Sequence, residues 1–157
     1  MGERKLLCIA DESPECRNAV VFGAERAKRT NATLIIVRVI RPLDMSLLGA
    51  IGGGIIDEVR AEAMEDLGQF AALAKNTSGV IAETLVYEGA AHDAIRAQID
   101  ADEGIKTLLL AASGSRNGLG PLVSSALRES AVFGKRKVAI MIVPDGLDDT
   151  QIIELAS

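Results

Sequence analysis

The feature that most constrains this chain is the regular alternation of short apolar runs with longer segments of helical period. "KLLCIA" (Lys5–Ala10) is a continuous apolar run, as expected of a strand buried on both faces. Ser13 then suits a helix N-cap and Pro14 the first helical position. Cys16, Ala19, Val20, Gly23, Ala24 and Ala27 recur at the spacing of one helical face. Lys28 and Arg29 suit the negative end of the helix dipole, and Asn31 suits the stop. "TLIIVRVI" (Thr33–Ile40) reads as a second strand. A second helix is expected over Asp57–Lys75, with Val59, Ala63, Leu67, Phe70 and Ala74 on one face. A third strand covers Val80–Tyr87, a third helix Ala91–Asp102 with Ile95 and Ile99 inward, and a fourth strand Lys106–Ala112. A fourth helix is expected over Pro121–Phe133, and a fifth strand, "VAIMIV" (Val138–Val143), stops at Pro144. No internal repeat or low-complexity segment interrupts the pattern.

Strands separated by helices imply right-handed crossovers and a mostly parallel sheet with helices on both faces. The first and fourth strands are the most apolar and the third the most polar, so the order 3-2-1-4-5 is expected. The expected fold is a single doubly wound α/β domain over residues 1–146, followed by a tail, 147–157. In that order the winding reverses between strands 1 and 4, where open sheets of this kind bind ligands beyond the strand carboxyl ends. Two loops meet there: Ala10–Ser13, and "SGSRNGLG" (Ser113–Gly120).

Composition narrows the functions. The 157 residues are 48% apolar with no Trp, so the core is aliphatic, and the net charge is −5. An acidic chain without a basic stripe argues against nucleic acid and anionic membranes as partners. No apolar run reaches the ~18 residues of a membrane span, and the start does not read as a signal peptide. Cys8 and Cys16 lack a CxxC spacing and read as buried thiols in a reducing cytoplasm, so the expected location is cytoplasmic.

"KLLCIADESPECRNAVVFGAERAKRTNATLIIVRVI", "EGAAHDAI", "GIKTLLLAASGSRNGLGPLVSSALRESAV" and "KVAIMIVP" together resemble the universal stress protein family over Lys5 to Pro144. The resemblance implies a homodimeric, cytoplasmic, Rossmann-like domain of the HUP type. Some members bind ATP or AMP and others do not, with Mg entering only if ATP is bound. It carries the nucleoside contact to Asp11, beside Ala10, and the adenine contact to Val39. Binders have a Gly-x-x-Gly and later a Gly-Ser or Gly-Thr after strand 4. Here Gly114 is followed by Asn117 in place of the second glycine, the loop is shorter before Gly118, and Ser124 and Ser125 stand where Gly-Ser is expected. The family also pairs its last strands across a twofold axis, which places Val138, Ile140 and Ile142 at a dimer interface.

The chemistry of these residues leaves two readings open. A helix N-terminus offers free N–H groups to phosphate, and Gly118 and Gly120 allow close backbone approach. Arg116 offers a bidentate contact, Ser124 and Ser125 offer hydroxyls, and Asn117 tolerates positive φ. A plain strand-to-helix turn explains Gly120 and Pro121 without any ligand. The first reading is a regulatory, weak adenine-nucleotide binder; the alternative is a dimeric protein-interaction module of the same family. No Walker lysine, catalytic triad or metal-ligand spacing is present, so neither catalysis nor a metal site is expected. "GAIGGG" (Gly49–Gly54) lacks phosphate-loop spacing and reads as a flap beside the crevice. His92 reads as a surface histidine, and "GKRK" (Gly134–Lys137) as a basic turn. The tail, with Ile152, Ile153 and Leu155, is expected to cover the sheet edge or a partner.

Overall fold

A computed structural model describes residues 2–10, 15–40, 53–112 and 136–157. Its strands are β1 (Lys5–Ala10), β2 (Thr33–Ile40), β3 (Glu83–Glu88), β4 (Ile105–Ala111) and β5 (Ala139–Val143). Among the described residues the helices are α1 (Glu15–Thr30), α2 (Gly53–Ser78), α3 (Ala91–Ala101) and α4 (Asp149–Leu155). All strand pairs are parallel, and the order is β3-β2-β1-β4-β5, as the sequence pattern predicts. β1 and β2 begin and end at the residues expected from the apolar runs.

Strand alternation sorts the core into two layers. Leu6, Cys8, Ala10, Leu34 and Ile36 face α1 and α2, together with Ile152 of α4. Leu7, Ile9, Ile35, Val37 and Val39 face Ala94, Ile95 and Ile99 of α3. Helices therefore cover both faces, and the two central apolar strands are buried on both sides. Gly23 permits α1 to lie close on the sheet: a Cβ there would stand 2.8 Å from Leu109 Cδ1 and 3.0 Å from Leu34 Cδ1.

Helix ends follow local chemistry. Asn31 takes the left-handed conformation, φ 52°, after α1, and Ala32 N–H donates to Ala27 O at 2.9 Å. That bond satisfies a carbonyl the helix end would leave open. The expected Asp57–Lys75 helix is longer, and Gly53 and Gly54 of the glycine cluster form its first turn rather than a flap. Glycine in a helix costs up to ~1 kcal/mol relative to alanine, which the packing of a long helix outweighs. Gly49 to Gly52 lie outside the described residues, as does the helix expected over Pro121–Phe133.

The tail packs back onto its own chain. It forms α4, begun by a capping box in which Asp148 accepts from Gln151 N–H and Gln151 accepts from Asp148 N–H. Ile152 and Ala156 are buried in the α1 layer, and Arg17 pairs with Asp149 at 2.8 Å. An apolar i, i+4 pair has a helical partner close by in α1, so it packs there.

Candidate functional site

The strand order reverses its direction of winding between β1 and β4, the place where open sheets of this kind bind ligands. Ala10 closes β1 and is fully buried toward α1. Val39, 5% exposed, lies on the opposite face, and Arg38 beside it is the register partner of Ala10. Ala10 and Val39 thus stand on adjacent strands at the carboxyl end of the sheet. Asp11, Gly114, Arg116, Asn117, Gly118, Gly120, Ser124 and Ser125 lie outside the described residues.

The carboxyl ends of β1 to β3 carry polar ties that the sequence reading passed over. Cys16 Sγ is 3.7 Å from Ile9 O, a weak S–H donor contact that anchors the start of α1 to β1. Arg38 is only 7% exposed; its Nε donates to Asp66 Oδ2 at 3.2 Å and its guanidinium to Val39 O at 2.5 Å. The Val39 carbonyl is therefore engaged, while its side chain remains in the apolar layer. A lone arginine inside "TLIIVRVI" was the available signal, because a buried charge demands a partner.

At the end of β3, Arg60 of α2 donates to both carboxylate oxygens of Glu88 and lies 3.7 Å from Asp57. The hydrogen bond to Glu88 raises the Arg60 pKa, and the same bond holds the Glu88 carboxyl below its ordinary value. Gly89 follows with φ +152°, and its N–H donates to Ile40 O at 2.9 Å. A Cβ at Gly89 would stand 2.8 Å from Tyr87 Cε1, so this turn requires glycine.

The residues expected at a dimer interface lie on or next to the opposite edge strand. Ile140 is 39% exposed, whereas Val138 and Ile142 pack partly against the α3 layer. Ala112 N–H donates to Val143 O at 2.9 Å. Strand alternation then turns the backbone groups of Ala139, Met141 and Val143 toward β4 and those of Ile140 and Ile142 toward the free edge.

Two minor expectations change. Arg136 is more than part of a basic turn: it donates to Ile99 O and Asp102 O at 2.7 Å and to Ile105 O at 3.3 Å. A guanidinium is the residue type that can satisfy several carbonyls at a helix C-terminus at once. His92 is half-buried at the start of α3 rather than fully solvated. Cys8 and Cys16 are buried thiols not joined in a disulfide, as expected.

This order of strands, with its reversal between β1 and β4, defines a doubly wound α/β domain. The model of the universal stress protein family matches residues 3–132, and the chain belongs to that family. β5 lies beyond the matched residues. Among solved structures, the universal stress protein UspA from Lactobacillus plantarum has a TM-score of 0.71 at 17% identity, covering 91% of this chain and 99% of that one. A universal stress protein from Archaeoglobus fulgidus has a TM-score of 0.62 at 18% identity, covering 89% and 98%. A universal stress protein solved in complex with cAMP has a TM-score of 0.60 at 19% identity, covering 93% and 100%. These likenesses establish the shared fold. No curated protein matches the chain. No described helix is long and apolar enough to cross a membrane.

Proposed function

We propose that this protein is a regulatory homodimer that binds an adenine nucleotide weakly in the crevice beyond β1, β2 and β4. The observation that supports the reading is the reversal of winding between β1 and β4, because ligands of open α/β sheets bind outside the strand carboxyl ends at such a reversal. Ala10 and Val39, at the carboxyl ends of β1 and β2, are assigned to the adenine end of the ligand, and the solved relative in complex with cAMP supports an adenine ligand. Asp11 is assigned the nucleoside hydroxyls. Gly114, Arg116, Asn117, Gly118, Gly120, Ser124 and Ser125 are assigned the phosphates, through backbone N–H groups, hydroxyls and the guanidinium. AMP or ATP is the expected ligand, with Mg only alongside ATP. No residue set for catalysis enters this reading.

The dimer is assigned to β5. Its outward backbone groups at Ile140 and Ile142, which no described strand pairs with, and the exposed Ile140 side chain form an edge that a second copy satisfies. The alternative is the same dimer without nucleotide, acting through protein contacts; Asn117 in place of the second loop glycine favours it. Mass spectrometry of the denatured, purified protein distinguishes the two. Released AMP or ATP supports the first reading. No release, with no thermal shift at millimolar ATP, supports the second.

A further inference from the structure

The sheet's other edge carries a second surface, independent of the nucleotide reading. Gly89 N–H donates to Ile40 O, so alternation turns the backbone groups of Leu85 and Tyr87 toward β2. Those of Thr84 and Val86 then point outward, where no described strand pairs with them. Beside this edge, α2 and β3 enclose a shallow groove of about 470 Å³, lined by Arg60, Met64, Val86, Tyr87 and Glu88. It continues along the helix over Gly68 and Ala71. Met64 is 66% exposed and Leu85 37%, and Ile81 just before the strand is 82% exposed.

The elements that border this strip carry an excess of acid: Asp57, Glu58, Glu62, Glu65 and Asp66 on α2 and Glu83 and Glu88 on β3, against Arg60 and Lys75 on α2, with Arg38 paired to Asp66 and Lys5 near Glu83. Arg60 is already tied to Glu88 and Asp57. Pairing of two copies through this edge would bring like charges together, which disfavours a second copy as occupant. We propose that the free edge of β3, with the groove beside it, docks an extended peptide segment of alternating aliphatic and cationic side chains. The peptide backbone pairs with Thr84 and Val86. Its aliphatic side chains enter the groove over Met64 and Gly68, and its cations meet the bordering carboxylates.

The test uses two fluorescein-labelled ten-residue peptides, one alternating valine and lysine, the other valine and glutamate. The lysine peptide is expected to bind at least about tenfold tighter by anisotropy, a difference of ~1.4 kcal/mol. At saturation the Thr84 and Val86 amides should exchange about tenfold more slowly, with little change at Leu85 and Tyr87. Gly68→Leu places a side chain where a Cβ meets nothing within 4 Å, so it should keep the fold while filling the groove. It is expected to lower peptide affinity about tenfold without lowering Tm. Should that variant fold poorly, the exchange measurement on the natural chain decides alone. Equal affinity for both peptides, slowed exchange elsewhere than on β3, or self-association through β3 without peptide would overturn the proposal.

Discussion

The Ser78 hydroxyl donates to Glu25 Oε2 at 2.9 Å, and this bond ties the end of α2 to the third turn of α1. Arg29 Nε, one turn on, donates to the other carboxylate oxygen at 2.9 Å. Both oxygens of a buried carboxylate are thereby satisfied, which is the condition for keeping it charged inside the fold. Glu25→Ala removes the acceptor and strands a buried Ser78 hydroxyl. It should lower unfolding free energy by roughly 1–3 kcal/mol in urea denaturation. A change below about 0.5 kcal/mol would contradict this role.

Acid should weaken the fold in a defined direction. Burial alone would raise the Glu25 pKa, but the bonds from Ser78 and Arg29 outweigh it and hold the carboxyl below its ordinary value. The Lys5 ammonium does the same for Asp102, and Arg17 for Asp149. A carboxyl depressed in the folded chain stabilises it fully above the unfolded pKa and loses that contribution as pH falls through the folded one. Tm should therefore be flat near neutrality and fall from about pH 5 downward. Glu25→Gln should make that fall shallower; an unchanged profile would remove Glu25 from the account.

Arg136 links β5's approach to the end of α3 through three carbonyls. Arg136→Ala should cost roughly 1–3 kcal/mol and speed hydrogen exchange in the last turn of α3. Arg136→Lys should recover only part of this, since an ammonium cannot span the same three acceptors. Full recovery would show that charge at the helix end, not the fork, is what matters.

The β5 edge gives a prediction about assembly. Ile140→Asp sets a charge on an exposed edge position and should convert the proposed dimer to monomer, or leave insoluble protein, in sedimentation analysis. A soluble dimer of unchanged dissociation constant would exclude pairing through β5.

The parts of the fold that were legible in the sequence are those in which local pattern and tertiary packing agree. β1 and β2 are uniformly apolar because helices cover both their faces, so their limits could be read residue by residue. β3 was placed three residues early: Val80, Ile81 and Ala82 are apolar but precede the register with β2, which begins at Glu83. Hydrophobicity alone does not say where pairing starts. α4 was missed because a seven-residue helix has little periodicity, and its docking on α1 depends on a partner remote in sequence. Arg38, Arg60 and Arg136 were missed for the same reason: each acts on acceptors from other elements. At the candidate site, the ends of β1 and β2 at Ala10 and Val39 could be read from the apolar runs, but the contact assigned to Val39 came from the family resemblance, and a ligand contact depends on side-chain geometry that spacing does not encode.

The central claim is that the crevice at the β1/β4 reversal takes an adenine nucleotide through Asp11. Thermal unfolding with increasing AMP or ATP, on the natural chain and on Asp11→Ala, tests it most directly. At ten times the dissociation constant the ligand should add ~1.4 kcal/mol, a rise of about 3–6 °C for a chain of this size. Asp11→Ala should need a clearly higher nucleotide concentration for the same rise. No shift of the natural chain at millimolar nucleotide, or an identical titration for Asp11→Ala, would contradict the claim.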